Sequence, residues 1–328
     1  MMPVDAVLAV TYRCNARCAM CGIWKSPPRE ELPPAAYRGL PASLRDVNLT
    51  GGEPFLRDDL PEIHAAIREA CPRAQTIVST NGLLSGKILA QLSAMRRREP
   101  NIGVAISLDG PARVHDRLRG VPGAHDRALA TLRALQGENF HNIRLAFTIT
   151  PQNIEELETV YNLARKLGVE FTCAVQHASD HYFQSSARPE LLATAVLRRQ
   201  LASLIRNELS GLSPKRWARA YFMRGIWEFV SNRSRPLPCR AGVDFFFLDP
   251  SGAMYTCNAM PFRMGVLNER GAITLDSPEA AEAREKAARC DSGCWMICSA
   301  RTAMRRNWMQ VLAWALRRKL GGGEILRP

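Results

Sequence analysis

A chain of 328 residues with 46% hydrophobic residues can hold one large domain and a small companion around a sizeable core, which excludes an intrinsically disordered protein. Its 44 Lys and Arg against 31 Asp and Glu give a formal charge of +13, a field that favours phosphate, nucleic acid or an anionic membrane surface without selecting among them. Ten cysteines behind an N-terminus with no basic region and long apolar core argue against a secreted disulfide scaffold and for a cytoplasmic protein with metal-bound thiolates. No window reaches the roughly eighteen uninterrupted apolar residues that a spanning helix needs.

Taken in order, the apolar run Val7 to Val10 reads as a strand that feeds Cys14, Cys18 and Cys21, a C-x3-C-x2-C triplet on one tight loop. Three thiolates so placed can hold three irons of a four-iron four-sulfur cluster and leave the fourth open to chemistry. Structural zinc instead favours C-x2-C pairs with a partner pair or histidines downstream. Arg45 to Thr50 is a second strand running into Gly51-Gly52-Glu53-Pro54, where glycines let backbone approach a ligand closely. Leu60 to Ala70 has helical spacing. Thr76 to Gly82 is a third strand whose polar end includes Ser79 and Asn81, followed by a helix through Leu89, Leu92 and Met95.

Gly103 to Gly110 is a fourth strand, with Ser107, Asp109, His115, Asp116, Arg119 and Gly120 at or beyond its tail. Asp109-Gly110-Pro111 also suits a plain turn, and His115 suits a helix cap as well as a contact. Ile143 to Thr150 and Val169 to Gln176 are the fifth and sixth strands, separated by a helix with Leu157, Val160, Tyr161 and Ala164 on one face. Polar residues gathered at the carboxyl ends of apolar strands, each followed by a helix, describe an α/β barrel with its site on that face. Cys173 and Gln176 fall on opposite faces of the sixth strand, so one of them faces the interior. Pro189 to Leu209 reads as the sixth helix and Trp217 to Val230 as a bridging helix.

The Cys14–Cys21 triplet, the GGEP turn and the S-L-D-G, H-D and R-G elements together resemble the radical S-adenosylmethionine (SAM) superfamily, with Met20 where that family usually has an aromatic residue. The resemblance implies a partial (β/α)6 TIM-like barrel. It further implies that Cys14, Cys18 and Cys21 bind the first cluster. Gly51, Gly52, Glu53, Pro54, Ser79, Asn81, Ser107, Asp109 and Arg119 would bind SAM, the GGEP turn holding its amino group and Ser and Arg near the fourth strand approaching its ribose and carboxylate.

A second cysteine set follows Pro236: Cys239, then Gly252 and Cys257, then Cys290, Cys294 and Cys298. It resembles the SPASM/twitch extension, which binds auxiliary iron-sulfur clusters beside the barrel. Five cysteines suit the one-cluster form and leave one of Cys290, Cys294 and Cys298 over, a candidate hydrogen donor or an inert buried thiol. Four of the five would also suit zinc. The expected organisation is a barrel over 1–212, a helical bridge over 213–235, an auxiliary-cluster domain over 236–300 and a basic amphipathic helix over 301–328. In that last segment Met304, Trp308, Val311, Leu312, Ala315 and Leu316 form one stripe amid arginines, and Gly321 to Gly323 end it. The helix docks on the barrel or lies on the anionic inner membrane face as a peripheral contact.

The expected reaction is reductive cleavage of SAM, with flavodoxin or ferredoxin as electron donor, and hydrogen abstraction from a substrate carbon with an oxidative outcome through the auxiliary 4Fe-4S cluster. Epimerisation through the spare thiol and peptide maturation are the enzymatic alternatives. Members of the resembled family that act on ribosomal peptides often carry an N-terminal leader-binding domain, whereas here the first strand starts within ten residues, which tilts the expectation toward a small-molecule, carbohydrate or lipid-linked substrate. A non-catalytic iron-sulfur or zinc scaffold binding nucleic acid or membrane is the other class. It has no use for a GGEP turn beside an open iron, and no nucleic acid partner is expected.

Overall fold

The computed structural model describes residues 2–185, 192–321 and 325–326. Its strands are β1 (Asp5–Thr11), β2 (Asp46–Gly51), β3 (Gln75–Thr80), β4 (Gly103–Ser107), β5 (Ile143–Ile149), β6 (Glu170–Val175), β7 (Phe245–Leu248), β8 (Ala253–Tyr255) and β9 (Arg263–Val266). The helices are α1 (Leu60–Ala70), α2 (Ser85–Arg96), α3 (Ala112–Arg119), α4 (Ala124–Gly137), α5 (Leu157–Lys166), α6 (Ala195–Ser210), α7 (Pro214–Asn232), α8 (Pro278–Ala288), α9 (Ile297–Arg306) and α10 (Trp308–Gly321). One sheet runs in the order β6-β5-β4-β3-β2-β1-β7-β8-β9, parallel from β6 through β7 and antiparallel thereafter. The six leading strands with their helices form the expected α/β partial barrel.

The strand sequences explain their places. All seven residues of β1 are buried, as a strand paired on both edges and covered on both faces requires. In β5 burial alternates: Ile143, Leu145, Phe147 and Ile149 are buried, while Arg144, Ala146 and Thr148 are less so. The first row joins the main core beneath the helices. Arg144 and Thr148 line cavities on the other face.

Several elements differ from the sequence expectation. Helices α3 and α4 stand where only a motif was read, because α3 is short and strongly polar and ends at Gly120 in the left-handed conformation (φ 64°). The sixth helix begins at Ala195, where Thr194 caps it by accepting from the Leu197 amide at 3.2 Å. Residues 189–191 of the expected span lie outside the described residues.

The tail is two helices, not one. The helix breaks at Asn307, whose side-chain amide donates to the Ala303 carbonyl at 2.9 Å. Within α10 only part of the expected stripe is covered: Val311 and Ala315 are buried, whereas Trp308 is 60% exposed and Leu316 is exposed. Helix α10 docks on α7, with Trp314 edge-on to Tyr221 at 5.3 Å and Lys319 donating to the Gly211 carbonyl at 2.9 Å. Gly322 and Gly323 of the expected terminator lie outside the described residues. Deleting residues 308–328 strips this cover and is expected to cost about 3 kcal/mol, the order of burying one or two large apolar side chains. Urea unfolding measures it, and an unchanged midpoint contradicts the docking.

Among the described residues no helix is long and apolar enough to cross a membrane.

Candidate active site

Residues 12–22 leave β1 as a loop held on three sides by backbone hydrogen bonds. The Arg17 amide donates to the Arg119 carbonyl at 2.9 Å, that of Ala19 to Leu118 at 2.8 Å, and that of Gly22 to Phe183 at 2.7 Å. The GGEP turn pairs with the base of the same loop, the Gly52 amide donating to the Thr11 carbonyl at 2.8 Å and that of Glu53 to Arg13 at 2.9 Å. A Cβ at Gly51 or Gly52 would meet those two carbonyls at 2.1 and 2.2 Å. The glycines therefore admit a neighbouring backbone, a nearer reason for them than the approach of a ligand.

Cys14, Cys18, Cys21, Gly51, Gly52, Ser79, Asn81, Ser107 and Arg119 all line one cavity of about 250 Å³ at the carboxyl ends of the strands. The remaining candidates stand behind its wall. Glu53 is fully buried, and its carboxylate accepts from the Thr80 hydroxyl at 2.9 Å, the Asn81 amide at 2.8 Å and the Phe55 amide at 3.3 Å. Burial pushes its pKa up to about 7 against the pull of those bonds. Pro54 opens a short 3-10 turn and is buried.

Asp109, also fully buried, holds Arg119 at 2.6 and 2.7 Å and accepts from the Thr148 amide at 2.8 Å. His115 accepts from the Asp109 amide at 3.0 Å. Arg119 thus reaches Cys18 Sγ at 3.8 Å from a fixed position. Its charge is maintained by Asp109 and Cys18 despite burial, which on its own opposes it.

Thr50, Thr148, Gln176, His177, Tyr182, Phe183 and Met296 also line it, and of these sequence reasoning singled out only Gln176, as one of two residues that could face the interior. Of these, Thr50, Thr148 and Gln176 lie at or just beyond strand ends already read as site-bearing. Tyr182 and Phe183 come from an irregular segment with no periodicity to read. Tyr182 packs on Tyr12 and Phe247. His177 stacks on Phe229, and burial lowers its pKa to about 4. Between the two strand-six candidates, Gln176 lines the cavity and Cys173 is buried away from it.

Cys239, Cys257, Cys290, Cys294 and Cys298 converge on a second, small cavity of about 30 Å³. Cys239 and Cys257 sit in loops, Cys290 and Cys294 in the irregular stretch before α9, and Cys298 in its first turn. Arg235 brings a guanidinium 3.8 Å from Cys294 Sγ. Met296 lines both cavities, and one apolar cluster containing Val7, Ala9, Phe245, Phe247 and Met296 touches cysteines of both sets.

Among the described residues no three His, Cys, Asp or Glu side chains close on one metal-ion position. A four-iron cluster asks for something else, one thiolate per iron on separate corners. Cys14, Cys18 and Cys21 around a cavity of this size meet that donor requirement. The second set has the donors too. Its smaller cavity requires the surrounding loops to open around a cluster.

The radical SAM superfamily model matches residues 8–164. The chain is 32% identical over 172 residues to an Fe-coproporphyrin III synthase of Methanosarcina barkeri, covering 50% of this chain and 41% of that protein. To an AdoMet-dependent heme synthase of the same organism it is 25% identical over 293 residues, covering 80% and 78%. The first relative therefore extends well beyond the matched part. The fold also matches that of Streptococcus suis SuiB bound to S-adenosylmethionine, with a TM-score of 0.66 at 16% identity over 86% of this chain and 68% of that one. With its motif cysteines, glycines and arginine brought to one cavity inside the matched region, residues 8–164 of this chain form a radical SAM domain, and enzymes of that superfamily use a 4Fe-4S cluster and SAM.

Proposed function

We propose that this radical SAM enzyme oxidises a small molecule, and that Cys239 to Cys298 hold an auxiliary 4Fe-4S cluster which accepts the substrate's electron. The observation carrying this reading is the pair of thiol-lined cavities that share Met296 as a wall. Cys14, Cys18 and Cys21 are the proposed ligands of the first cluster. A 4Fe-4S cluster held there would supply the electron for reductive cleavage of SAM, with a flavodoxin or ferredoxin as the proposed donor.

The protein's own part is to position and to exclude. Arg119, fixed by Asp109, offers counter-charge for a carboxylate beside Cys18. Ser79, Asn81 and Ser107 offer hydrogen bonds at the strand ends. Tyr182, Phe183 and Met296 wall the cavity with side chains that limit water. Both relatives above are named for tetrapyrrole products, which supports a small-molecule substrate over a peptide.

Epimerisation is the second reading. It is favoured by the fifth thiol at the second cavity, and Cys298, two residues from Met296, is the candidate donor.

Anaerobic reconstitution tests the two-cluster arrangement. The wild type is expected to hold about eight irons, and the Cys239→Ser, Cys257→Ser variant about four with SAM cleavage retained. Mössbauer spectra and metal analysis read the result; four irons plus one zinc in the wild type would make the second site structural.

A further inference from the structure

A cavity of about 620 Å³, within the usual range for small-molecule sites, lies toward the opposite end of the strands from Cys14, Cys18 and Cys21. It is bounded by the foot of β5 and β6 and by α7, α9 and α10. Arg144 and Glu170, near the starts of β5 and β6, contribute to it, whereas Thr148 and Gln176 at the far ends line the SAM-side cavity. Glu170 and Gln176 are about 20 Å apart along the strand. We propose that this cavity binds an amphiphilic anion, a carboxylate or phosphate carried on an alkyl or aryl body.

The walls supply both halves of such a ligand. Phe171, Trp217, Phe222 and Trp308 give apolar surface. Arg144, Lys215, Arg219, Arg301 and Arg305 give five cations against the single lining carboxylate of Glu170. Carboxylates in or behind the wall offset four of the five and leave Arg144 the least compensated. Asp5 and Asp46 pair with Arg301 and Arg305, and Glu208 is shared by Arg216 and Arg219. Arg144 has Glu170, already bonded to Lys215, at 3.8 Å, and Asp46, already paired with Arg301 and Arg305, within electrostatic reach.

Arg144 donates to Asn142 at 2.8 Å, but its buried Nε has no partner among the described residues. Burial, together with the nearby Arg301 and Arg219, disfavours its charge. An anion at this point relieves that crowding and satisfies the orphaned donor. The catalytic face of a barrel is its carboxyl-terminal end, so the ligand here is distinct from the molecule that loses hydrogen.

Calorimetric titration of the reconstituted holoprotein with octyl phosphate tests the site, with octanol and inorganic phosphate as the two half-ligands. Octyl phosphate should bind one to one, at least about tenfold tighter than either half and equally well with saturating SAM present. Ala218→Trp, which fills the cavity from α7 without changing charge, should weaken it by at least about tenfold. Arg144→Gln should weaken octyl phosphate by a similar factor and leave octanol unchanged, giving a second reading if the tryptophan variant fails to fold. Equal binding by the wild type and a folded Ala218→Trp protein, octanol binding as tightly as octyl phosphate, or displacement by SAM would each overturn the proposal.

Discussion

Replacing Cys14, Cys18 and Cys21 together by Ala is expected to remove about four irons and abolish SAM cleavage, because these three thiolates are the proposed protein ligands of the first cluster. The three line one cavity on a loop held by backbone hydrogen bonds to Leu118, Arg119 and Phe183. The loop's path does not depend on the thiols, so the variant should fold. Burial raises the Cys14 thiol to about 12 and Cys21 to about 11. Iron must displace those protons on binding, and cluster assembly should therefore slow as pH falls. Iron analysis and chromatography of the nucleoside product check the result; retained cleavage would remove these cysteines from the chemistry.

Arg119→Gln is expected to cost about 3–5 kcal/mol in stability, because it leaves the fully buried Asp109 without its counter-charge. The companion Asp109→Asn change separates stability from function. The neutral amide it introduces can still accept from the Thr148 backbone N–H through its carbonyl oxygen, so the double variant should recover most of the lost stability in a denaturant titration. SAM affinity, measured by equilibrium dialysis, should stay weak in the double variant if Arg119 is the carboxylate's counter-charge. Full recovery of affinity would restrict Arg119 to a structural part.

Much of this site was legible because its residues occupy the regular parts of the chain. Ser79, Asn81 and Ser107 stand at or just past strand ends that sequence reading located within two or three residues, and the cysteine spacing is local. What escaped was set by distant contact. Nothing near Tyr182 in the sequence says that its hydroxyl lies 3.3 Å from Thr50, and Met296 becomes the wall between two cavities only through the irregular stretch that precedes α9.

The two-helix tail was misread for a different reason. Its apolar positions keep helical spacing straight through Asn307, so periodicity carries no mark of the break. The glycines of the GGEP turn were found by motif, but their packing against Thr11 and Arg13 needed the fold.

The most direct test incubates the anaerobically reconstituted, dithionite-reduced wild-type protein with SAM and follows nucleoside products by liquid chromatography. A cavity lined by Cys14, Cys18, Cys21, Gly51, Gly52 and Arg119 should yield 5′-deoxyadenosine and methionine together, dependent on both reductant and cluster. A fully iron-loaded, reduced protein that leaves SAM intact would contradict the account.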